Sequence, residues 1–258
     1  MKYHQIRNAT AIIHYAGKKI LIDPMLSVKG SFPGFPMTLN NHLRNPLVDL
    51  PMSVSDIINV DAIIVTHTHE DHWDAAARAL IPRDMTIFVQ NTADKQELTD
   101  DGFSNLHVLD EHSEFCGIKL IPTRAQHGSN EAFQNKDAAE LLGEATGVIL
   151  SAKNEKVIYL VGDSIWIDDV EKIMKSYQPE IVILNTGYAL VDNFGPIIMG
   201  KDDVLRTHNV LPDAKIIATH MESVNHFGQT RKEIYDLVVA NKIENCVFIP
   251  EDGEIVNI

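Results

Sequence analysis

Apolar positions along the chain fall into short, mostly unbroken runs separated by polar turns, and their spacing predicts the elements. Ala9 to His14 and Lys19 to Ile22 are β-rich runs joined by Tyr15-Ala16-Gly17-Lys18, the pattern of a hairpin. Asp61 to Thr66 holds apolar residues that do not alternate with polar ones, which predicts a buried strand. Asp74 predicts the N-cap of a short helix to Leu80, and a second helix is expected near Thr92 to Asp100. Thr86 to Val89 and Leu106 to Leu109 read as the strands on either side of it. Ile118 to Pro122, Gly147 to Ser151 and Val157 to Val161 read as strands, the last two a hairpin around Lys153-Asn154-Glu155. A helix near Asp168 to Tyr177 then leads to strands at Ile181 to Leu184 and Lys215 to Thr219. Thr230-Arg231-Lys232-Glu233 is a capping box that opens a helix to about Asn241, and Val247 to Pro250 and Glu254 to Val256 close the chain. Strands paired early, then strands alternating with helices, indicate an α/β or α+β layered sandwich.

One stretch has no periodicity. From Met25 to Pro51 the chain is dense in Pro, Gly and Asn, including Pro33-Gly34-Phe35-Pro36 and Asn40-Asn41. A loop this long inside a compact domain is typically a lid or binding loop. Its Phe32, Phe35, Met37 and Leu39 predict a packed flap beside a cleft.

Composition narrows the functional classes. The 258 residues are 45% hydrophobic and 22% charged, enough to bury a sizeable core and suited to one domain over 1–258. A net charge of −14 argues against nucleic acid or an anionic membrane as partner. The opening MKYHQIRNATAIIHYAGKK has no signal-like apolar core, and no run reaches the roughly 18 apolar residues of a membrane span. The cytoplasm is the expected compartment, with a small-molecule substrate as the partner and a homo-oligomer left open. Cys116 and Cys246 have no metal-like spacing and read as ordinary buried thiols.

The candidate chemistry starts at Thr66-His67-Thr68-His69-Glu70-Asp71-His72, directly after a strand. In extended backbone, residues two apart point the same way, so His67 and His69 can grip one ion. Asp71 and His72 lie where the chain turns towards the helix and can face a second. Imidazole with carboxylate suits Zn, with Mn or Fe as alternatives. The same arrangement recurs: His127 follows Ile118 to Pro122, Asp163 follows Lys156 to Val161, and His220 follows Lys215 to Thr219. Each candidate ligand lies just past the C-terminal end of an apolar strand, where layered α/β sheets build their sites.

This constellation, HTHEDH followed by a His, an Asp and a His at strand ends, resembles the metallo-β-lactamase superfamily over nearly the whole chain. The resemblance implies a four-layer αβ/βα sandwich with a two-metal site at one edge of its sheets. It implies His67, His69 and His127 on one ion, Asp71, His72 and His220 on the other, and Asp163 on both. Asp23, in Leu21-Ile22-Asp23-Pro24, matches a position that supports such sites from behind a ligand histidine. Where β-lactamases of this class place Cys, this chain has Asp163, which argues against antibiotic hydrolysis. The chain has no room for the helical domain of glyoxalase-II-like enzymes, and it carries no flavodoxin domain. Its charge does not suit an RNA-processing enzyme. Ala9 to His14, Leu21 to Pro24 and the long loop resemble the branch of L-ascorbate-6-phosphate lactonases and N-acylphosphatidylethanolamine phospholipase D-like enzymes.

The expected activity is therefore a dinuclear metal-dependent hydrolase acting on an ester, lactone or phosphodiester. Two close ions can bridge a water and lower its pKa from about 15.7 towards 7. Candidate catalytic residues are Asp71, Asp163 and His226, the last six residues past His220 in a loop that can face substrate. Tyr188 has similar standing, with a packed aromatic as its other reading. His4, His14, His42, His107, His112 and His208 read as ordinary surface or core residues. Iron-based redox or oxygen chemistry and a non-catalytic metal-binding module are the competing classes.

Overall fold

The computed structural model describes residues 1–258. Two seven-stranded mixed sheets pack face to face, with helices on both outer faces. Across the first sheet the order is Ile255–Asn257, Lys2–Arg7, Thr10–Tyr15, Lys18–Ile22, Ala62–Val65, Ile87–Val89 and Leu106–Val108. Across the second it is Val247–Phe248, Lys215–Thr219, Ile181–Asn185, Ile158–Leu160, Thr146–Ser151, Ile118–Arg124 and Glu114–Phe115. This is the αβ/βα sandwich that the pattern and the resemblance imply.

Why the strands read as unbroken apolar runs is visible in how their side chains divide. Ile20, Ile22 and Ile64 point into the layer between the sheets, where they meet Leu120, Leu150, Ile183 and Ile217. Their neighbours Leu21, Ile63 and Val65 point the opposite way, onto Trp73, Ala77, Leu98 and Phe103 beneath the outer helices. On the second sheet Val182 and Leu184 pack outwards with Val170, Met174, Val204 and Ile234. A strand covered on both faces has no polar side to show, so period two is lost from its sequence. Each fully buried aliphatic side chain contributes roughly 1.5–3 kcal/mol.

The helix signals match the structure closely. Asp74 caps Ala75–Leu80 by accepting from the Ala77 amide, Asp168–Tyr177 is helical, and Thr230 with Glu233 forms the capping box of Arg231–Asn241. Other elements escaped the pattern. Lys2–Arg7 is a strand completing the first hairpin, and Lys201–Val210 is a helix whose single fully buried aliphatic, Val204, leaves no stripe to read. Short helices at Val54–Ile57, Asn130–Gln134 and Lys136–Leu142 were likewise absent from it. No helix is long and apolar enough to cross a membrane.

The cysteine expectation is corrected. Cys116 is exposed, at φ 51° in the tight turn between Glu114–Phe115 and Ile118–Arg124, and Cys246 is half-buried beside Pro212. Both lie in connections rather than in a core layer, and both are free thiols. Strands Ile118–Arg124, Ile158–Leu160, Ile181–Asn185 and Lys215–Thr219 all run in one direction, so their C-terminal ends share one edge of the second sheet. The end of Ala62–Val65 approaches that edge from the first sheet, where the Thr66 carbonyl accepts from the Thr146 amide.

Candidate metal centre

The shared edge gathers seven side chains. Donor atoms of His67, His69 and His127 lie within 4.8 Å of one another, as do those of His67, His72 and Asp163, and those of Asp71, His72 and His220. His67 Nε2 is 3.0 Å from His69 Nδ1, and His72 Nε2 is 2.8 Å from His220 Nε2. Asp163 stands between the two groups. Its Oδ2 is 3.3 Å from His72 Nε2 and 3.8 Å from His127 Nδ1, while Oδ1 is 3.4 Å from His220 Nε2. Gly162 makes the turn that delivers it, at φ 72° with a would-be Cβ only 2.4 Å from the Thr146 carbonyl oxygen, so no other residue fits there.

The outward ring nitrogens show what holds these histidines. His72 Nδ1 donates to Asp23 Oδ2 (2.9 Å), and His127 Nδ1 donates to the Ile197 carbonyl (3.0 Å). His67 Nδ1 pairs with Thr66 Oγ1 (3.2 Å). Each of these bonds sets a tautomer and leaves the other nitrogen for the cluster, the usual support of a metal-binding imidazole. His220 Nδ1 is buried without a hydrogen-bond partner. Its backbone sits at φ 61°, and Asp23 at φ 45°. Left-handed non-glycine residues are strained, and here two of them frame one site.

The charge balance tests whether cations fit. Burial and neighbouring imidazoles hold His67 well below the ordinary imidazole range, and burial pushes His127 down to about 3 and His226 to about 4. Burial alone would raise Asp163 and Asp71, but His72 and His220 outweigh it and hold both carboxylates ionised. Burial likewise opposes a proton on His72, yet Asp163, Asp71 and Asp23 lift it well above the usual value. With His67, His69 and His127 held neutral, the ionised Asp71 and Asp163 leave a pocket that demands positive charge. A proton on His72 answers it in part. Divalent ions, bound by N and O donors, answer it fully.

Two supporting residues were missed from sequence. Asn8 Nδ2 donates to the Asp71 carbonyl (2.9 Å), and Asn185 Nδ2 donates to Asp163 Oδ1 (2.6 Å). Asn185 ends an apolar strand just as Val65 does beside His67, so the strand-end rule could have found it. Asn8 occupies the turn between Lys2–Arg7 and Thr10–Tyr15, and only tertiary packing brings it under Asp71.

In front of the cluster lies a cleft of about 150 Å³. His69, Asp71, His127 and Asp163 form its floor; Phe35, Pro36, Leu141, Leu142, Val191 and Ile197 form apolar walls. His226 is part of this lining, its ring 4.8 Å from that of Phe35 and edge-on to Phe227 at 5.0 Å. The flap from the long loop therefore stands at the cleft. Tyr188 does not line it; its ring packs over Gly200, where a would-be Cβ would meet Tyr188 Cδ2 at 2.6 Å.

Comparison with known proteins agrees with this geometry. The family described as "Beta-lactamase superfamily domain" matches residues 18–221. UPF0173 protein YddR of Bacillus subtilis is 42% identical over 255 residues, 98% of each chain. Among solved structures, an isothiocyanate hydrolase from Delia radicum gut bacteria is 47% identical with a TM-score of 0.97, covering 100% of this chain and 99% of that one. "A possible metal-dependent hydrolase" from Veillonella parvula is 45% identical with a TM-score of 0.98, at the same coverage.

Proposed function

This chain belongs to the UPF0173 metal-dependent hydrolases of the β-lactamase superfamily, and from that premise we propose that it hydrolyses isothiocyanates. The observation that carries the reading is a small apolar cleft over a buried polar floor, in a chain 47% identical to an isothiocyanate hydrolase. An isothiocyanate, R–N=C=S, is neutral and joins an apolar R group to a compact electrophilic carbon. Apolar walls suit R, and the floor suits the reacting carbon. A cavity near 150 Å³ admits a benzene-sized group.

The balanced reaction is R–N=C=S + H₂O → R–NH₂ + COS. Water oxygen bonds to carbon, the carbon–nitrogen bond breaks, and both water hydrogens end on nitrogen. Two ions would be held by the seven ligands: His67, His69 and His127 on one, Asp71, His72 and His220 on the other, Asp163 on both. Zinc is the first choice, with manganese or iron as alternatives. When bound, such ions supply Lewis acidity that lowers the pKa of water and stabilises developing negative charge. Asp163 and Asp71 lie on the floor of the cleft and, as carboxylates, can take the proton that leaves water. His226 is neutral near pH 7 and faces the cleft, so it can hydrogen-bond the nitrogen as charge gathers there. We read 1–258 as one domain, because the terminal strands Lys2–Arg7 and Ile255–Asn257 pair with each other inside the first sheet.

The broader set of lactones, esters and phosphodiesters, suggested by the lactonase and phospholipase D-like resemblance, is the comparison panel. Apo-protein reconstituted with Zn, Mn or Fe is assayed for amine and carbonyl sulfide release from isothiocyanates alongside that panel. Metal-dependent turnover fastest on isothiocyanates is the expected result. Faster turnover of a lactone or phosphodiester, or turnover indifferent to metal, overturns it.

A further inference from the structure

The wall of the cleft that carries Phe35 is held by one residue outside the ligand set. Asn225 is 2% exposed, and every hydrogen-bonding site of its side chain is engaged by the flap. Its Oδ1 accepts from the Phe35 amide (2.9 Å) and from Asn45 Nδ2 (2.8 Å). Its Nδ2 donates to Thr38 Oγ1 (2.9 Å) and to the Leu39 carbonyl (2.6 Å). Its own amide donates to Asn45 Oδ1 (2.9 Å), so Asn225 and Asn45 clasp each other twice.

The base of the loop is fixed separately. The buried Arg7 guanidinium donates to the Met25, Ser27 and Val48 carbonyls, gathering both ends of the loop, and the Ser27 amide donates to Asp74. The tip is a tight structure with Met37 at φ 55° and Asn40 at φ 52°. Methionine gains nothing from that conformation, so the segment keeps it only while its surroundings impose it. Within the loop, Thr38 Oγ1 donates to the Phe35 carbonyl (2.7 Å) and the Leu43 amide to the Asn40 carbonyl (2.9 Å). From outside it, the bridge from Thr38 to Val191 and the Asp192 amide on the Met37 carbonyl hold one side, and Asn225 makes the side-chain bonds on the other. Asn225 also immediately precedes His226, whose ring lies against Phe35.

We propose that Asn225 is a positioning residue that latches the flap as a fixed wall, setting through Phe35 and His226 the largest R group the cleft accepts. On this view the flap is part of the binding surface rather than a lid that opens in each cycle. The substrate half of the inference rests on the isothiocyanate reading; the latch half does not.

Asn225→Asp is nearly isosteric but keeps only acceptors. It loses both donor bonds and sets a carboxylate against the Leu39 carbonyl. Thr38→Val leaves Asn225 itself intact but removes its Thr38 partner together with the Thr38 Oγ1 bond to the Phe35 carbonyl, so Asn225→Asp, which spares that internal bond, is the cleaner variant. Hydrogen exchange on the zinc-loaded protein reads the latch directly. The amides of Phe35, Met37, Thr38 and Leu39 are expected to exchange at least tenfold faster in Asn225→Asp and by a smaller factor in Thr38→Val. Strand Ala62–Val65 and the bound zinc stoichiometry are expected to stay as in the parent. In kinetics, the kcat/KM preference for benzyl over diphenylmethyl isothiocyanate is expected to fall at least fivefold, mainly through KM. Unchanged exchange at 35–39 in both variants overturns the latch. If Asn225→Asp does not fold, Asn45→Asp, which removes the Asn45 Nδ2 bond to Asn225 Oδ1 and touches nothing in 35–39, decides in its place: unchanged exchange there overturns the latch. Faster exchange with undiminished selectivity overturns the size-setting role. Should the parent protein leave isothiocyanates untouched, the functional reading fails while the exchange result still judges the latch.

Discussion

Asp23 offers the sharpest test of how the metal centre is built. It is buried, held at φ 45°, and accepts three bonds: Thr66 N at 2.7 Å, Thr66 Oγ1 at 2.8 Å and His72 Nδ1 at 2.9 Å. The last bond keeps the His72 proton on Nδ1 and leaves Nε2 facing Asp71, Asp163 and His220. In Asp23→Asn the side-chain oxygen can still accept from the Thr66 amide, but an NH₂ then meets His72 Nδ1. The imidazole must offer a lone pair there, which moves its proton to Nε2, inside the cluster. A protonated Nε2 cannot bind a cation. Losing such a supporting carboxylate weakens metal binding by roughly 10–100-fold, about 1.4–2.7 kcal/mol, and a charge-assisted hydrogen bond is of similar size, about 1.5–3 kcal/mol. The ion assigned to Asp71, His72 and His220 should therefore weaken by that factor, and the one on His67, His69 and His127 by less. Competition against a chromophoric chelator, followed through both equivalents of zinc, measures each. Two ions retained within about twofold of the parent affinities would refute the reasoning, whatever happened to turnover.

Four further outcomes are expected. His67→Ala or His69→Ala should lose metal and hydrolysis while circular dichroism reports an intact fold; normal turnover in either would undo the two-metal reading. His220→Ala should bind the second ion at least about tenfold more weakly, whereas His226→Ala should keep both ions and lose turnover or substrate affinity; metal titration showing the reverse pattern would exchange their roles. Asp94, buried on Thr92–Asp100, is pushed up by burial from its ordinary 3.8 to about 6, so the folded protein binds the extra proton and stability falls as pH rises through that window. Asp94→Asn does not titrate, and at pH 7.5 it should be more stable by about 1–2 kcal/mol after screening, with the gain vanishing below pH 4; melting curves at both pH values check it, and equal gains at both would contradict the assignment.

Much of the site was legible because each ligand follows a strand that could only be buried. Ala62–Val65, Ile158–Leu160 and the Ile216-Ile217-Ala218 centre of Lys215–Thr219 are apolar on both faces, so they had to lie between covering layers. His67, Asp163 and His220 then had to emerge at strand ends. The spacing of His67, His69, Asp71 and His72 is local and needs no fold to be read. Asp23 came only through family resemblance. Its role depends on a left-handed turn and on a 49-residue separation from His72 that no local pattern encodes. The helix Lys201–Val210 stayed hidden because its N-cap is Gly200, which has no side chain to cap with and is held only by its amide donating to Asp203 Oδ2 (3.0 Å), and because its apolar stripe is thin.

The sequence by itself determined the layered class, the strand ends and the seven donors, because burial and local spacing act between near neighbours. Only the tertiary structure decided which donors face one another, that Asn8 and Asn185 steady the two carboxylates, and that Asn225 closes its side chain onto a flap some 180 residues earlier. Those are hydrogen bonds between segments remote in the chain. Each needs one polar group at one place in space, and a lone Asn carries no period or spacing by which that place could be foretold.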